Sequence, residues 1–527
     1  MNSWPFLLGL VLGLYFVTFN IVGFDFSFFP GDLGDARFNT YILEHGHKYL
    51  TGQEASLWNA PFMVPEANVI TYSDNLIGTA PIYSVFRGFG YDRETAFQFW
   101  FIALAILNFT SCYLFLKWLF KNRYAAVLGA FVFAFSIALQ SQMTHAQVFP
   151  RFFIPLAIWM LLLFKEELSP KYLFLAVFFL VMQFYAGIYL GFILVIPFGI
   201  LLLLIVFVSK FKIFLEKIKQ LKWWIYVLVG GAINLVLLGT LMHPYYSRSL
   251  LVGGNSYENV VGTLPTFGDF FFSQSGSLFW DQLSRGKADY GDLWNEFALW
   301  DHQIFPGGIA ILSVLVRIDC VFMRKRWTQV KTMASTSVWL VIITGGLTLL
   351  IFVRFGDFSL YRLVHALPGY GSMRSLTRVI NVELLFFASA VSFVALLFME
   401  KYKPYLVPVF LLFMGLLVAD NYFLEGESYR TEKNVAQLRV TPLITKMSHV
   451  PEGGLISYEP ETKDAPPYFY QLDAMLATQS LGLKSVNGYS ATSPGAYSPY
   501  WNELTKETRE SWFKNNNFRP DTTYIIR

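Results

Sequence analysis

Apolar residues run along this chain in long blocks, separated by short polar connections and a few long ones. The blocks lie at 4–24, 98–120, 124–141, 148–164, 171–185, 187–209, 223–242, 305–322, 334–353, 379–399 and 404–423. A hydrocarbon core of ~30 Å takes about 20 apolar residues of helix. The pattern therefore predicts an α-helical polytopic membrane protein with about eleven transmembrane helices. Only Met1, Asn2 and Ser3 precede the first block, with no basic leader and no small-residue cleavage site. It is expected to be a retained anchor rather than a cleaved signal.

Charge then orients the blocks. Alternate connections are short and basic: Lys117, Lys121 and Arg123; Lys165 and Lys171; Lys210, Lys212, Lys217, Lys219 and Lys222; Arg317, Arg324, Lys325, Arg326 and Lys331; Lys401 and Lys403. The others are minimal (142–147 and near 186) or long and mixed in charge (25–97, 243–304, 354–378). Lysine and arginine in short loops favour the cytoplasmic side. The N-terminus is expected inside, and the long loops outside. The C-terminal end is expected outside with them.

Beyond residue 423 the apolar blocks stop. Gly454 to Tyr458 and Thr523 to Ile526 read as strands, and 470–481 and 501–514 as helices. Two domains are expected: 1–423, transmembrane, with outer loops 25–97 and 243–304, and 424–527, a small extracytoplasmic α/β domain.

Composition narrows the class. Of 527 residues 55% are hydrophobic and only 14% charged, where soluble domains carry about a quarter. A soluble enzyme is excluded. Two cysteines, Cys112 and Cys320, fall in or beside blocks, so the outer parts are expected to fold without disulfides. The sequon Asn108-Phe109-Thr110 lies inside a block. Both facts fit a bacterial inner membrane.

Chemistry-bearing residues gather at the outer ends of the blocks. The first loop opens with Pro30-Gly31-Asp32-Leu33-Gly34-Asp35, followed by Glu44-His45 and later Tyr72-Ser73-Asp74-Asn75. An acidic pair at a membrane surface can deprotonate an acceptor hydroxyl or hold a divalent cation. Gly-Asp is also ordinary turn and cap chemistry, and that reading is assigned to Asp32. The short turn Gln140 to Arg151 is densely polar. In it His145 is a candidate base or ligand, Gln147 a polar neighbour, and Arg151 a candidate for a lipid phosphate or a snorkelling cation. Arg374 and Arg378, four apart, are expected on one face of a helix start, where arginine and helix dipole both favour phosphate. Glu383 is their expected partner. There is no phosphate-binding loop, dinucleotide fingerprint, zinc-type spacing or nucleophile elbow. The basic clusters belong to the cytoplasmic side, so nucleic acid is not an expected partner.

Taken in order, these motifs resemble those of the GT-C superfamily of membrane glycosyltransferases, in its bacterial branch of YfhO-type proteins. Gly31-Asp32-Leu33-Gly34-Asp35 with Glu44-His45, Tyr72-Ser73-Asp74, His145-Ala146-Gln147 and Phe184-Tyr185-Ala186-Gly187-Ile188-Tyr189 carry the resemblance. Pro368-Gly369 leading to Arg374 and Arg378, and Asn487-Gly488-Tyr489-Ser490 in the tail, complete it. The resemblance implies an inverting transfer of sugar from a polyprenyl-phosphate donor to a lipid, glycan or protein acceptor at the outer surface. Asp35 would be the base, helped by Asp74, Glu44 and His45 or by a divalent cation. Arg374, Arg378 and Arg151 would take the donor phosphate, with His145, Gln147, Tyr185 and Tyr489 lining the substrate site. A lipid-linked glycan ligase or polymerase shares such loops, and a transporter of a lipid-linked or envelope substrate would place its polar groups near mid-bilayer.

The orientation is open to direct measurement. On a background lacking Cys112 and Cys320, single cysteines at Ser275 and Ser498 should react with a membrane-impermeant thiol reagent on intact spheroplasts. One at Gln220 should not; the reverse labelling would invert the topology.

Overall fold

The computed structural model describes residues 3–208, 216–217, 219–285, 299–322, 335–424 and 429–527. The basic residues Lys210, Lys212, Arg324, Lys325, Arg326 and Lys331 of the topology argument lie outside them. Among the described residues, eight helices are long and apolar enough to cross a membrane. They are Trp4–Val22, Arg93–Phe120, Arg123–Gln142, Ala146–Glu167, Ile188–Val208, Leu221–Val252, Leu376–Lys401 and Lys403–Asp420. The other three expected blocks coincide with shorter apolar helices, Pro170–Ala186, Gly308–Phe322 and Thr336–Phe352. This is a multi-pass membrane protein.

Two spans form the centre of the bundle. Arg123–Gln142 is wholly buried and Leu376–Lys401 nearly so, whereas Leu221–Val252 lies at the rim with most of its apolar side chains exposed. Lipid is as apolar as leucine, so close packing of small residues, rather than water exclusion, holds spans together. A Cβ on Gly129 would fall 2.2 Å from Ser392 Oγ and 2.4 Å from the Ala388 carbonyl oxygen. The two central helices therefore meet backbone to backbone, and Ser392 Oγ donates to the Ala125 carbonyl at 2.9 Å. Gly13 does the same for the first span, where a Cβ would strike the Phe135 ring at 2.2 Å.

On the loop side, the first loop and the tail interleave. Phe28–Pro30 pairs antiparallel with Arg430–Glu432, Phe29 facing Thr431. The tail's sheet has Leu455–Tyr458 at its centre, flanked in parallel by Lys484–Ser485 and Thr523–Ile526. The first loop reaches this sheet too: Val64 N–H donates to the Ser485 carbonyl and Ser485 N–H to the Pro61 carbonyl. The expected tail helices are Pro467–Leu481, and the pair Ser498–Glu503 and Lys506–Asn515 in place of one at 501–514. Leu504 at φ +49 separates that pair.

The first-loop helix Asp35–Leu50 is buried under the tail. Arg37, 2% exposed, donates to Asp473 Oδ1 at 2.6 Å, and Arg439 donates to Asp473 Oδ2 at 2.6 Å. One carboxylate thus ties the loop helix to two tail helices, Lys433–Met447 and Pro467–Leu481. Removing one partner of a buried pair leaves an uncompensated charge and costs about 3–5 kcal/mol. Asp473→Ala should lower the thermal unfolding midpoint of purified protein accordingly. The apolar triple replacement Asp473→Leu with Arg37→Met and Arg439→Met should recover most of the loss.

Candidate functional site

Asp32 shapes the start of the loop helix. Its Oδ1 accepts from Gly34 N–H at 3.1 Å and Ala36 N–H at 3.2 Å, satisfying amides that the first helical turn leaves open. Gly31, at φ +95, lets the loop press against the turn before Ala146: a Cβ there would lie 2.7 Å from the Met143 carbonyl oxygen. That close approach brings the turn's histidine to the loop's second carboxylate.

Asp35 stands at the helix N-terminus with both oxygens engaged. Its Oδ2 lies 3.0 Å from His145 Nδ1, and its Oδ1 accepts a hydrogen bond from the Tyr489 hydroxyl. Burial alone would push the Asp35 carboxyl up. The hydrogen bond and charge of His145, the Tyr489 hydroxyl and the Arg378 charge outweigh it, holding the group below the usual carboxylate range. Asp35 is therefore an anion at neutral pH. On the same helix Asn39 Nδ2 donates to the Asp35 carbonyl at 2.8 Å and to Gln147 Oε1 at 3.1 Å, which docks Gln147 one turn further on.

Behind His145 is a residue that the sequence pattern did not single out. His145 Nε2 is 3.8 Å from Asp301 Oδ1, while Asp301 Oδ2 accepts from Ser375 Oγ at 2.7 Å. The adjacent His302 is pinned by Asp269 at 2.8 Å, which fixes the segment. An Asp-His pair just before the 305 block was the available signal, but no spacing rule links it to a turn 156 residues earlier in the chain.

Arg378 completes the group. It lies at the start of the Leu376–Lys401 span, its guanidinium 4.9 Å from the Tyr189 ring centre. Its charge lowers both Asp35 and Asp74, yet it forms no ion pair among the described residues and its buried Nε has no hydrogen-bond partner. A buried, hydrogen-bond-hungry guanidinium beside an ionised carboxylate is suited to an oxyanion ligand.

Other expected site residues are placed elsewhere. Glu44 is nine residues past Asp35, two and a half turns and about 14 Å along the helix, on the opposite face. There it binds Arg87 at 2.8 and 3.0 Å and accepts from Tyr83 at 2.6 Å. His45 Nε2 faces the Ser56 and Leu57 carbonyls, both at 3.0 Å, and burial lowers it to about 4. Arg151 is buried in the bundle, donating to Asn381 Oδ1 at 3.2 Å and lying over the Phe133 ring, so it is not at a membrane surface. Tyr185 donates to the Leu237 carbonyl at 2.8 Å, toward the rim helix. Arg374 and Arg378 do not share a helix face, because Met373, Arg374 and Ser375 are not helical and the helical turn begins at Leu376. Arg374 is exposed and donates to the Ala491 carbonyl at 2.5 Å. Glu383 pairs with neither arginine; its buried Oε1 has no partner among the described residues. Five residues after Arg378, it projects from another side of the helix.

Asp74 is a helix cap. Its Oδ1 accepts from Ile188 N–H at 2.5 Å and Tyr189 N–H at 3.4 Å, at the start of the span that follows the extended Gly187. Burial raises it to about 6, against the pull of Arg378 and these two amides. No group of three His, Cys, Asp or Glu side chains among the described residues is placed to hold a metal ion.

No family model matches this chain, and no curated protein matches its sequence. Its structure is similar to the oligosaccharyltransferase of Archaeoglobus fulgidus in the apo form, with TM-score 0.52 and 13% identity over 98% of this chain and 69% of that one. The same archaeal enzyme, AglB, in complex with an inhibitory peptide and a dolichol-phosphate aligns with TM-score 0.47 and 12% identity over the same shares. The first likeness is one of fold, shared with that oligosaccharyltransferase, and it does not extend to the YfhO-type branch.

Asp74 permits a check on its capping role. A carboxyl whose folded value, about 6, exceeds its ordinary 3.8 favours folding at low pH, and that advantage is lost as pH rises from about 4 through 6. Above that range the buried charge costs on the order of 3 kcal/mol. Asp74→Asn retains a capping oxygen and should raise the unfolding midpoint at pH 7, with parent and variant converging below about pH 4. A lower midpoint at pH 7 would mean that the charge itself holds the helix end.

Proposed function

We propose that this protein is an inverting glycosyltransferase of a bacterial inner membrane. It would move a sugar from a polyprenyl-phosphate donor to an acceptor hydroxyl on the outer face. The observation that carries the reading is the ionised Asp35, oriented by His145 and lying within the field of the unpaired Arg378 at the loop ends of the spans. The fold likeness to an oligosaccharyltransferase supports it. The polar groups gather at span ends rather than at broken helices in mid-bilayer, which disfavours a transporter.

In the proposed reaction the acceptor oxygen attacks the anomeric carbon of the donor. The new carbon–oxygen bond forms as the bond to phosphate breaks, and the electron pair leaves with the polyprenyl phosphate. Attack opposite the leaving group inverts the anomeric centre. Asp35 takes the hydroxyl proton, and His145 keeps the carboxylate aimed. Arg378 neutralises the departing phosphate. Asp301 holds the far side of His145, and Asp74 serves the fold by capping the helix that carries Tyr189.

General-base assistance of this kind contributes about 10²–10⁴-fold in rate. Purified Asp35→Asn protein should bind polyprenyl-phosphate sugar normally and transfer it at least ~100-fold more slowly. Asp32→Asn should cost far less, since asparagine can keep the turn. Arg378→Ala should instead raise the donor KM, by about ten- to a hundred-fold for a charge-assisted bond of ~1.5–3 kcal/mol. If Asp35→Asn transfers normally and Asp32→Asn does not, the base is Asp32; if both transfer normally, the glycosyltransferase reading fails.

A further inference from the structure

The tail brings an aromatic cluster to the carboxylate. The Tyr489 ring, whose hydroxyl rests on Asp35 Oδ1, lies 5.4 Å from Phe38, 5.5 Å from Trp501 and 6.2 Å from Tyr468, between ring centres. Tyr468 stacks on Phe469 at 4.5 Å and reaches back over the loop, within 3.4 Å of where a Gly34 side chain would begin. Tyr468, Tyr489 and Trp501 are all only half-buried. The Tyr468 hydroxyl and Trp501 indole N–H carry no hydrogen bond among the described residues. Neighbouring Ser490 has a buried Oγ with no partner.

An aromatic face with a polar tip is half apolar and half wet. Such rings match a pyranose, whose C–H face packs on an aromatic plane while its rim hydroxyls seek donors and acceptors. The base of the cluster carries both signs: the Asp35 and Asp32 carboxylates adjoin it, and the Arg439 guanidinium stands 4.5 Å from the centre of the Phe469 ring on which Tyr468 stacks. Sugar hydroxyls can donate to such carboxylates and accept from a guanidinium.

We propose that Tyr468, Tyr489 and Trp501 form the acceptor subsite, that its ligand is a saccharide, and that the Tyr489 hydroxyl marks the place on Asp35 that the acceptor's hydroxyl takes. Its role as the acceptor subsite and the last point rest on the glycosyltransferase reading; the binding of a saccharide there does not. Tyr489 is then both wall and placeholder: its ring supports the sugar, and its hydroxyl must leave Asp35 before proton transfer.

Saturation-transfer NMR on the full chain in lipid nanodiscs, without donor, tests the subsite. The probes are neutral disaccharides built from glucose, galactose or N-acetylhexosamine, with a serine-containing hexapeptide for comparison. At least one disaccharide should receive saturation. Trp501→Ala and Tyr468→Ala should each lower that signal at least threefold, Trp501→Phe should restore it, and Tyr489→Phe, which removes the competing hydroxyl, should raise it. If Trp501→Ala does not reach the membrane folded, Tyr468→Ala decides. Binding of the peptide but of no disaccharide, or a disaccharide signal indifferent to both alanine variants, would overturn the proposal. Because no transfer is measured, that outcome is distinguishable from a failure of the Asp35 reading.

Discussion

The triad of the buried Arg37 and Asp473 with the half-buried Arg439 is the contact on which the site depends. Asp35 and Arg37 are two residues apart on one helix, and Asp473 and Tyr489 both belong to the tail that covers it. Isolated charges in so enclosed a place would be strongly disfavoured, and only complete pairing makes their burial tolerable. The pairing has one satisfactory geometry, with each Asp473 oxygen 2.6 Å from a different guanidinium. The register of tail on loop follows from that constraint, and with it the placement of Tyr489 on Asp35.

A second constraint comes from the membrane itself. Helix starts leave amides open, and in an apolar surrounding each must find an acceptor. Carboxylates answer this need repeatedly on the loop side: Asp92 for the helix beginning at Arg93, at 2.7 Å, Asp74 for the one beginning at Ile188, and Asp420 for the one beginning at Gly308, at 2.9 Å. Carboxylates near the site therefore divide into two kinds. Asp74 and Asp32 each spend one oxygen, Oδ1, on two backbone amides, while Asp35 is held by side chains that can rearrange. A proton acceptor belongs to the second kind.

This division explains why the site was only partly legible. The blocks marked the helices well, because a span-length apolar run has few other uses, and the tail strands followed from their β-branched and aromatic residues. Asp35, His145 and Arg378 stood out because polar groups at span ends need a reason. Glu44 and His45 were grouped with Asp35 by proximity in sequence, but two and a half helical turns sent them to another face. Glu383 was matched to the arginines on charge alone, and the helix directs it elsewhere.

Hydropathy and the distribution of lysine and arginine determined, without coordinates, that the chain is a multi-pass membrane protein. They also marked its long loops and tail as a region apart from the spans. Only the tertiary structure decided which of the many polar residues meet. It alone placed Asp301 behind His145, Asp473 beneath Arg37, and Tyr468 and Trp501 around Tyr489. Apolar periodicity is a local property, written in neighbouring residues, whereas these meetings join positions from 12 to 436 residues apart in the chain. They depend on helix phase, on glycines such as Gly129 and Gly31 that permit close approach, and on the requirement that every buried charge find its counterpart.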